Sequence, residues 1–84
     1  MADTFQIEIA TPEKLVVDRR AEYAEIPGKD GYLGILPGHA ALLSELGAGD
    51  LSVTASGKTD KYKISGGYVE VRDDHVRVLA DSVE

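Results

Sequence analysis

Apolar and polar residues alternate with a period of two along almost the whole of this chain, and helical spacing is scarce. Because a strand repeats its faces every second residue, the pattern limits the fold to one built mainly from β-strands. Phe5, Ile7 and Ile9 share one face, Thr4, Gln6 and Glu8 share the other, and Thr11-Pro12-Glu13 ends the strand with a turn. A second run covers Lys14 to Asp18. From Ala21 to Ile26 the alternation is less clean, with Tyr23 falling beside Glu25 and Ala24 beside Ile26. Pro27-Gly28-Lys29-Asp30-Gly31 is rich enough in breakers to reverse the chain.

The second half of the sequence is sharper. Leu51, Val53 and Ala55 oppose Asp50, Ser52 and Thr54, and a Ser56-Gly57 turn predicts a hairpin whose return arm carries Tyr62 and Ile64. Gly66-Gly67 is expected to break or bulge that arm. Val69 and Val71 then alternate with Glu70 and Arg72, Asp73-Asp74 turns, and Val76, Val78 and Ala80 alternate with His75 and Arg77. Many short strands separated by turns every eight to twelve residues predict two packed antiparallel sheets. Only Ala40 to Leu46 has room for a helical turn, and no linker, repeat or second domain is visible, so residues 1–84 are expected to form one domain.

A chain of 84 residues buries about 60–65% of the surface that its unfolded form exposes, which implies modest stability. It has no cysteine to staple it, no tract long enough to cross a bilayer and no basic presequence at Met-Ala-Asp-Thr-Phe. The expectation is a mature start at Met1 in a reducing cytosol, without membrane insertion. Fifteen acidic against nine basic residues give a formal charge of −6, which opposes binding to nucleic acid or to an anionic membrane surface. Lys58, Lys61 and Lys63, the one basic cluster, read as a solvated strand face.

Chemistry finds little to work with. His39 and His75 are the only imidazoles, and a triad would need one of them beside a nucleophile and an acid. Ser44, Glu45 and Asp50 lie near His39 in sequence, but no nucleophile elbow surrounds the serine. Two histidines 36 positions apart, without cysteine, offer no recognisable metal-ligand spacing. Gly28, Gly31 and Gly34 lack the following helix that a phosphate cradle requires, so turn geometry explains them better and no cofactor is expected. His75 on an outward face reads as solvated, and His39 either satisfies local backbone groups or serves as a contact residue in a binding loop.

The segment from Tyr32 to Leu51 sets four glycines and a proline among Leu33, Ile35, Leu36, Leu42, Leu43 and Leu46. A backbone that bends this often while carrying apolar side chains is either buried or made for a partner. Its stretch Gly31-Tyr32-Leu33-Gly34-Ile35-Leu36-Pro37-Gly38-His39-Ala40, followed by Leu42-Leu43 and Gly47-Ala48-Gly49, resembles the epsilon subunit of bacterial F-type ATP synthases. Ser65-Gly66-Gly67-Tyr68-Val69-Glu70-Val71, Val76-Arg77-Val78-Leu79-Ala80-Asp81 and the opening Phe5 to Glu13 extend the resemblance, in family order, over essentially the whole chain.

The resemblance implies a ten-stranded, two-sheet antiparallel β-sandwich. It also implies a non-catalytic rotor subunit of the central stalk, packed on the gamma subunit and resting on the ring of c subunits, which supports coupling of proton flow to ATP synthesis. Its place would be the cytoplasmic face of the bacterial inner membrane, as a peripheral protein. By resemblance, Gly31, Tyr32, Leu36, Pro37, Gly38 and His39 form a ring-facing loop, and Thr11, Leu42, Leu43 and Leu79 are candidate gamma contacts. Two departures matter. Tyr32 stands where many members carry an acidic residue, and the sequence stops at Glu84 where the family usually continues into two helices. The competing reading, from a different class, is a free-standing β-sandwich module that binds a small ligand or peptide between its turns.

Overall fold

The alternation is realised as strands throughout residues 3–84, which are the residues that the computed structural model describes; the reading of the amino terminus rests on Met1 and Ala2 and lies outside them. Among the described residues there are eight strands and no helix. They are β1 (Phe5–Ala10), β2 (Leu15–Ala21), β3 (Tyr23–Gly28), β4 (Gly31–Ile35), β5 (Leu42–Glu45), β6 (Ala48–Ala55), β7 (Lys58–Arg72) and β8 (His75–Val83). Hydrogen bonds connect them in the order β2-β1-β8-β7-β6-β3-β4, with β5 paired to β7 off that path.

Four expectations change. Eight strands are found instead of ten, because β7 runs 15 residues through Gly66-Gly67 instead of ending there and β8 runs unbroken from His75 to Val83. The pairing is not wholly antiparallel: β1 lies parallel to β8, from Gln6 beside His75 to Ala10 beside Leu79. Nearly the whole chain separates those two strands, so no tight turn imposes an antiparallel hairpin on them. The segment Ala40 to Leu46 holds no helical turn. Leu42–Glu45 instead pairs with Tyr68–Val71, and tertiary pairing overrides a short apolar run that periodicity alone leaves ambiguous. The second and third strands also sit later than expected, with a bend at Glu22 dividing them.

The long β7 organises the packing. Its first half, Lys58–Ser65, pairs with β6, and its second half, Tyr68–Val71, pairs with β5, while β8 follows its other side. Gly66 and Gly67 both have positive φ, 66° and 110°. A side chain on Gly67 would put its Cβ 2.0 Å from the Leu79 carbonyl oxygen, so the bend requires a residue without one. Around this bend the sheet folds over a single core. Phe5, Ile7, Ile9, Val17, Val69, Val71, Val76 and Val78 come from one half, and Ala24, Ile26, Ile35, Leu51, Val53 and Ile64 come from the other. Most of these are residues whose shared face the alternation marks, whereas Val17 and Ile35 lie in runs to which it assigns no face. The Arg19 guanidinium reaches Asp60 Oδ2 at 2.8 Å, tying edge strand β2 to the start of β7 where no ladder joins them. Half-exposed, that pair contributes at most about 1 kcal/mol, and burial of the core dominates.

Truncating Val69 or Val78 to alanine is expected to cost about 1–3 kcal/mol, and Lys61→Ala less than about 0.5 kcal/mol. Gly67→Ala should destabilise more than either valine truncation, because backbone stands where its Cβ would go. Urea denaturation of the four variants measures the order. A Gly67→Ala protein as stable as the parent would overturn the account of the bend.

Candidate functional site

Side chains on the outer face of β2, β1, β8, β7 and β5 fall into transverse rows set by the register. One row reads Leu15, Ala10, Leu79, Tyr68, Glu45, and the next reads Asp18, Glu8, Arg77, Glu70, Leu43. Leu15, Leu79 and Tyr68 are 53%, 52% and 55% exposed, and Leu43 is 72% exposed. Scattered apolar residues on a surface need no explanation, but here they are contiguous across the sheet. A groove of about 320 Å³ lies in the row, bordered by Thr11, Pro12, Tyr68 and Leu79.

Of the residues singled out as gamma contacts, the fold brings Thr11 and Leu79 together at this groove and sets Leu43 on the same face two strands away. Leu42 points the other way and packs against the core. Sequence reasoning passed over Tyr68 and Leu15. The signal for Tyr68 was its phase: it is apolar in the positions of β7 that alternate with buried Val69 and Val71.

The rest of this face is polar and internally bonded. His75 Nε2 pairs with Glu8 Oε1 across the parallel β1–β8 ladder, Arg77 lies 4.0 Å from the same oxygen, and Gln6 donates to Asp18 at 2.5 Å. His75 is therefore not simply solvated. Its partner comes from a strand whose parallel register the alternation could not reveal. Among the described residues no group of three or more His, Cys, Asp or Glu side chains is arranged to hold a metal ion.

The stretch Gly31 to His39 is not one loop. Gly31–Ile35 is β4, the edge strand paired only with β3, so Tyr32 and Pro37 stand five residue steps apart along a mostly extended chain, up to about 16 Å. Tyr32 projects over Gly49, and its hydroxyl accepts a hydrogen bond from the Asp50 amide at 3.2 Å. A Cβ on Gly49 would lie 2.5 Å from that hydroxyl, so a bare backbone there gives the ring its seat. At the other end, the His39 amide donates to the Leu36 carbonyl at 3.1 Å, closing a turn around Pro37-Gly38. Leu36 and Tyr32 are each more than half exposed, Gly31 and Gly38 are exposed, and Pro37 and His39 are half-buried. The His39 Nδ1 lies 2.7 Å from the Ala40 carbonyl, so the imidazole does satisfy a local backbone group.

The sequence family described as ATP synthase, Delta/Epsilon chain, beta-sandwich domain matches residues 4–84. The chain belongs to this family. It is 54% identical over 84 residues to an ATP synthase epsilon chain of Koribacter versatilis and 46% identical to one of Solibacter usitatus. All of this chain is covered in both, against 59% and 63% of those relatives, so it spans less than two thirds of their length. A solved chain from the Euglena gracilis mitochondrial ATP synthase, an OSCP/F1/c-ring assembly, superposes with a TM-score of 0.93 at 24% identity. That match covers all of this chain and 54% of the other. A chain from the Tetrahymena thermophila mitochondrial ATP synthase central stalk and c-ring gives 0.79 at 17% identity, covering 94% and 64%. At these identities the two structures share the fold, and the family match makes the doubled-over sheet a β-sandwich. Among the described residues no helix is long and apolar enough to cross a membrane.

On the strand beside β4, the Tyr23 phenol is shifted upward. Partial desolvation first, then the charge and hydrogen bond of Glu25, raise it above 10.0. Above 10.0 the unfolded chain loses this proton before the folded one does, so stability contributed here falls as pH rises through that range. Glu25→Gln is expected to lower the Tyr23 midpoint. An alkaline titration of the assigned Tyr23 ring resonance tests it, and an unmoved midpoint would show that the carboxylate plays no part.

Proposed function

We propose that this sandwich works as a non-catalytic rotor subunit in the central stalk of an F-type ATP synthase, bridging the gamma subunit and the c-ring so that proton flow is coupled to ATP synthesis. The observation that carries the reading is an exposed apolar row on a domain of the Delta/Epsilon family that also has an open and uncharged sheet edge at β4. The family relatives are named as ATP synthase epsilon chains, and the fold recurs in stalk and ring assemblies.

In this proposal the outer face, with Leu15, Leu43, Tyr68, Leu79 and Thr11, packs on gamma. The β4 edge lies lengthwise on the ring, so Gly31 and Tyr32 at one end and Leu36, Pro37, Gly38 and His39 at the other make contact together. An edge of up to about 16 Å suits the broad ring of polar loops that the resemblance implies, whereas a single loop tip could not present both groups. Gly31–Ile35 holds no charged residue. Its outward amides and carbonyls are left for polar loops to satisfy. Dividing β7 at its glycine pair and β8 at the facing Asp81 would count ten segments in two layers, and residues 1–84 act as one domain. No cofactor takes part. The working location is the cytoplasmic face of the bacterial inner membrane, held there through partners.

The chain has no cysteine, so single substitutions make unique cross-linking reporters. In the full-length chain assembled with its stalk, Tyr32→Cys and His39→Cys should both cross-link to c subunits, and Tyr68→Cys and Leu79→Cys to gamma. Leu79→Glu should leave the melting temperature nearly unchanged yet weaken assembly and proton-driven ATP synthesis at least about tenfold, by putting a charge in an apolar contact. Wild-type assembly of Leu79→Glu would defeat the gamma-facing assignment. Cross-linking to the ring at only one end of β4 would defeat the lengthwise pose.

A further inference from the structure

The Asp73-Asp74 turn joins β7 to β8 with both residues in the left-handed region, at φ 51° and 58°. Hairpin turns of this kind favour glycine or asparagine at such positions, and an aspartate there carries some backbone strain. Asp74 is also held on two sides. Its carbonyl accepts from the Gln6 amide at 2.9 Å, fixing the turn to the start of β1. Its carboxylate Oδ1 accepts from the Gly38 amide at 2.6 Å, across 36 residues. Among the described residues this is the one hydrogen bond that carries Pro37, Gly38 or His39 to a distant part of the chain. Pro37 has no amide to offer, and the His39 bonds are local.

We infer that Asp74 is a positioning residue that locks the Pro37–His39 end of the β4 edge for docking. The inference rests on the ring-facing reading of that edge. A charge-assisted bond from a side chain anchored through its own backbone holds the turn in one place, where Leu36 and the imidazole are presented without further ordering on contact. An aspartate at a strained left-handed position is then explained by what its carboxylate does, since glycine would make the hairpin equally well.

Two substitutions separate this from a plain structural role. Asp74→Gly keeps the backbone geometry but removes the carboxylate, and Asp74→Asn keeps an acceptor oxygen and tolerates the same φ. Asp74→Gly should not lower the melting temperature, while exchange of the Gly38 amide with solvent accelerates about tenfold or more and affinity of the full-length chain for a gamma and c-ring complex falls about fivefold. Asp74→Asn should recover much of both. Unchanged Gly38 exchange in Asp74→Gly would overturn the lock, and faster exchange with wild-type affinity would overturn its role in docking. Failure of the wild-type chain itself to bind the complex would overturn the stalk reading, with Gly38 exchange still reporting independently on the lock.

Discussion

Everything in this fold depends on one strand belonging to both halves of the core. The 15 residues of β7 pair with β6 before the glycine pair and with β5 after it, and β8 runs along the other side. With the Leu79 carbonyl 2.0 Å from where a Gly67 Cβ would stand, β7 and β8 approach as closely as a bare backbone allows. That closeness brings Leu79 and Tyr68 side by side on the outer face, while Val69 and Val78 meet inside. The core and the candidate docking row are two sides of the same pairing.

The inward face was legible in the sequence because alternation reports burial directly. Phe5, Ile7, Ile9, Leu51, Val53, Ile64, Val69, Val71, Val76 and Val78 were all read as inward, and all are buried. Partners were not legible, because alternation says which way a residue points and nothing about what lies beside it. Hence the parallel neighbourhood of β1 and β8 was missed, and with it the tie between His75 and Glu8. For β5 the difficulty was length: four residues in which adjacent Leu42 and Leu43 take opposite faces show no period at all.

The candidate contacts follow the same logic. Leu79 was picked out from a resemblance, but its phase alone marks it, since it is apolar between Arg77 and Asp81 in the outward register of β8. Tyr68 carries a comparable mark, whereas Leu15 shares its phase with buried Val17 and reaches the outer row only through the register shift at Ile9/Ala10. An apolar side chain placed where folding does not need it costs solvation, and here three share one row with Leu43 exposed in the next. Beside that row, Glu8, Arg77, His75, Asp18 and Gln6 already bond to one another. A partner meeting the apolar row gains burial while leaving the His75–Glu8–Arg77 contacts and the Gln6–Asp18 bond intact, whereas contact over the charged part would disrupt bonds already made.

Sequence distance explains why two acidic residues in a turn carried no visible meaning. Aspartate is a common turn residue, its left-handed φ here is not visible in the sequence, and nothing in the linear order connects Asp74 to Gly38. The connection exists because β5 reverses the chain onto β7: Leu42 is opposite Val71, which leaves the preceding Pro37-Gly38 turn near the end of β7 where Asp74 follows. An aspartate positioned by one hairpin therefore serves another loop, and the link depends on the same β7 pairings that build the core. A change at the glycine bend would consequently reach the Pro37–His39 turn without touching it, through the register of β5 and β8 on the strand they share.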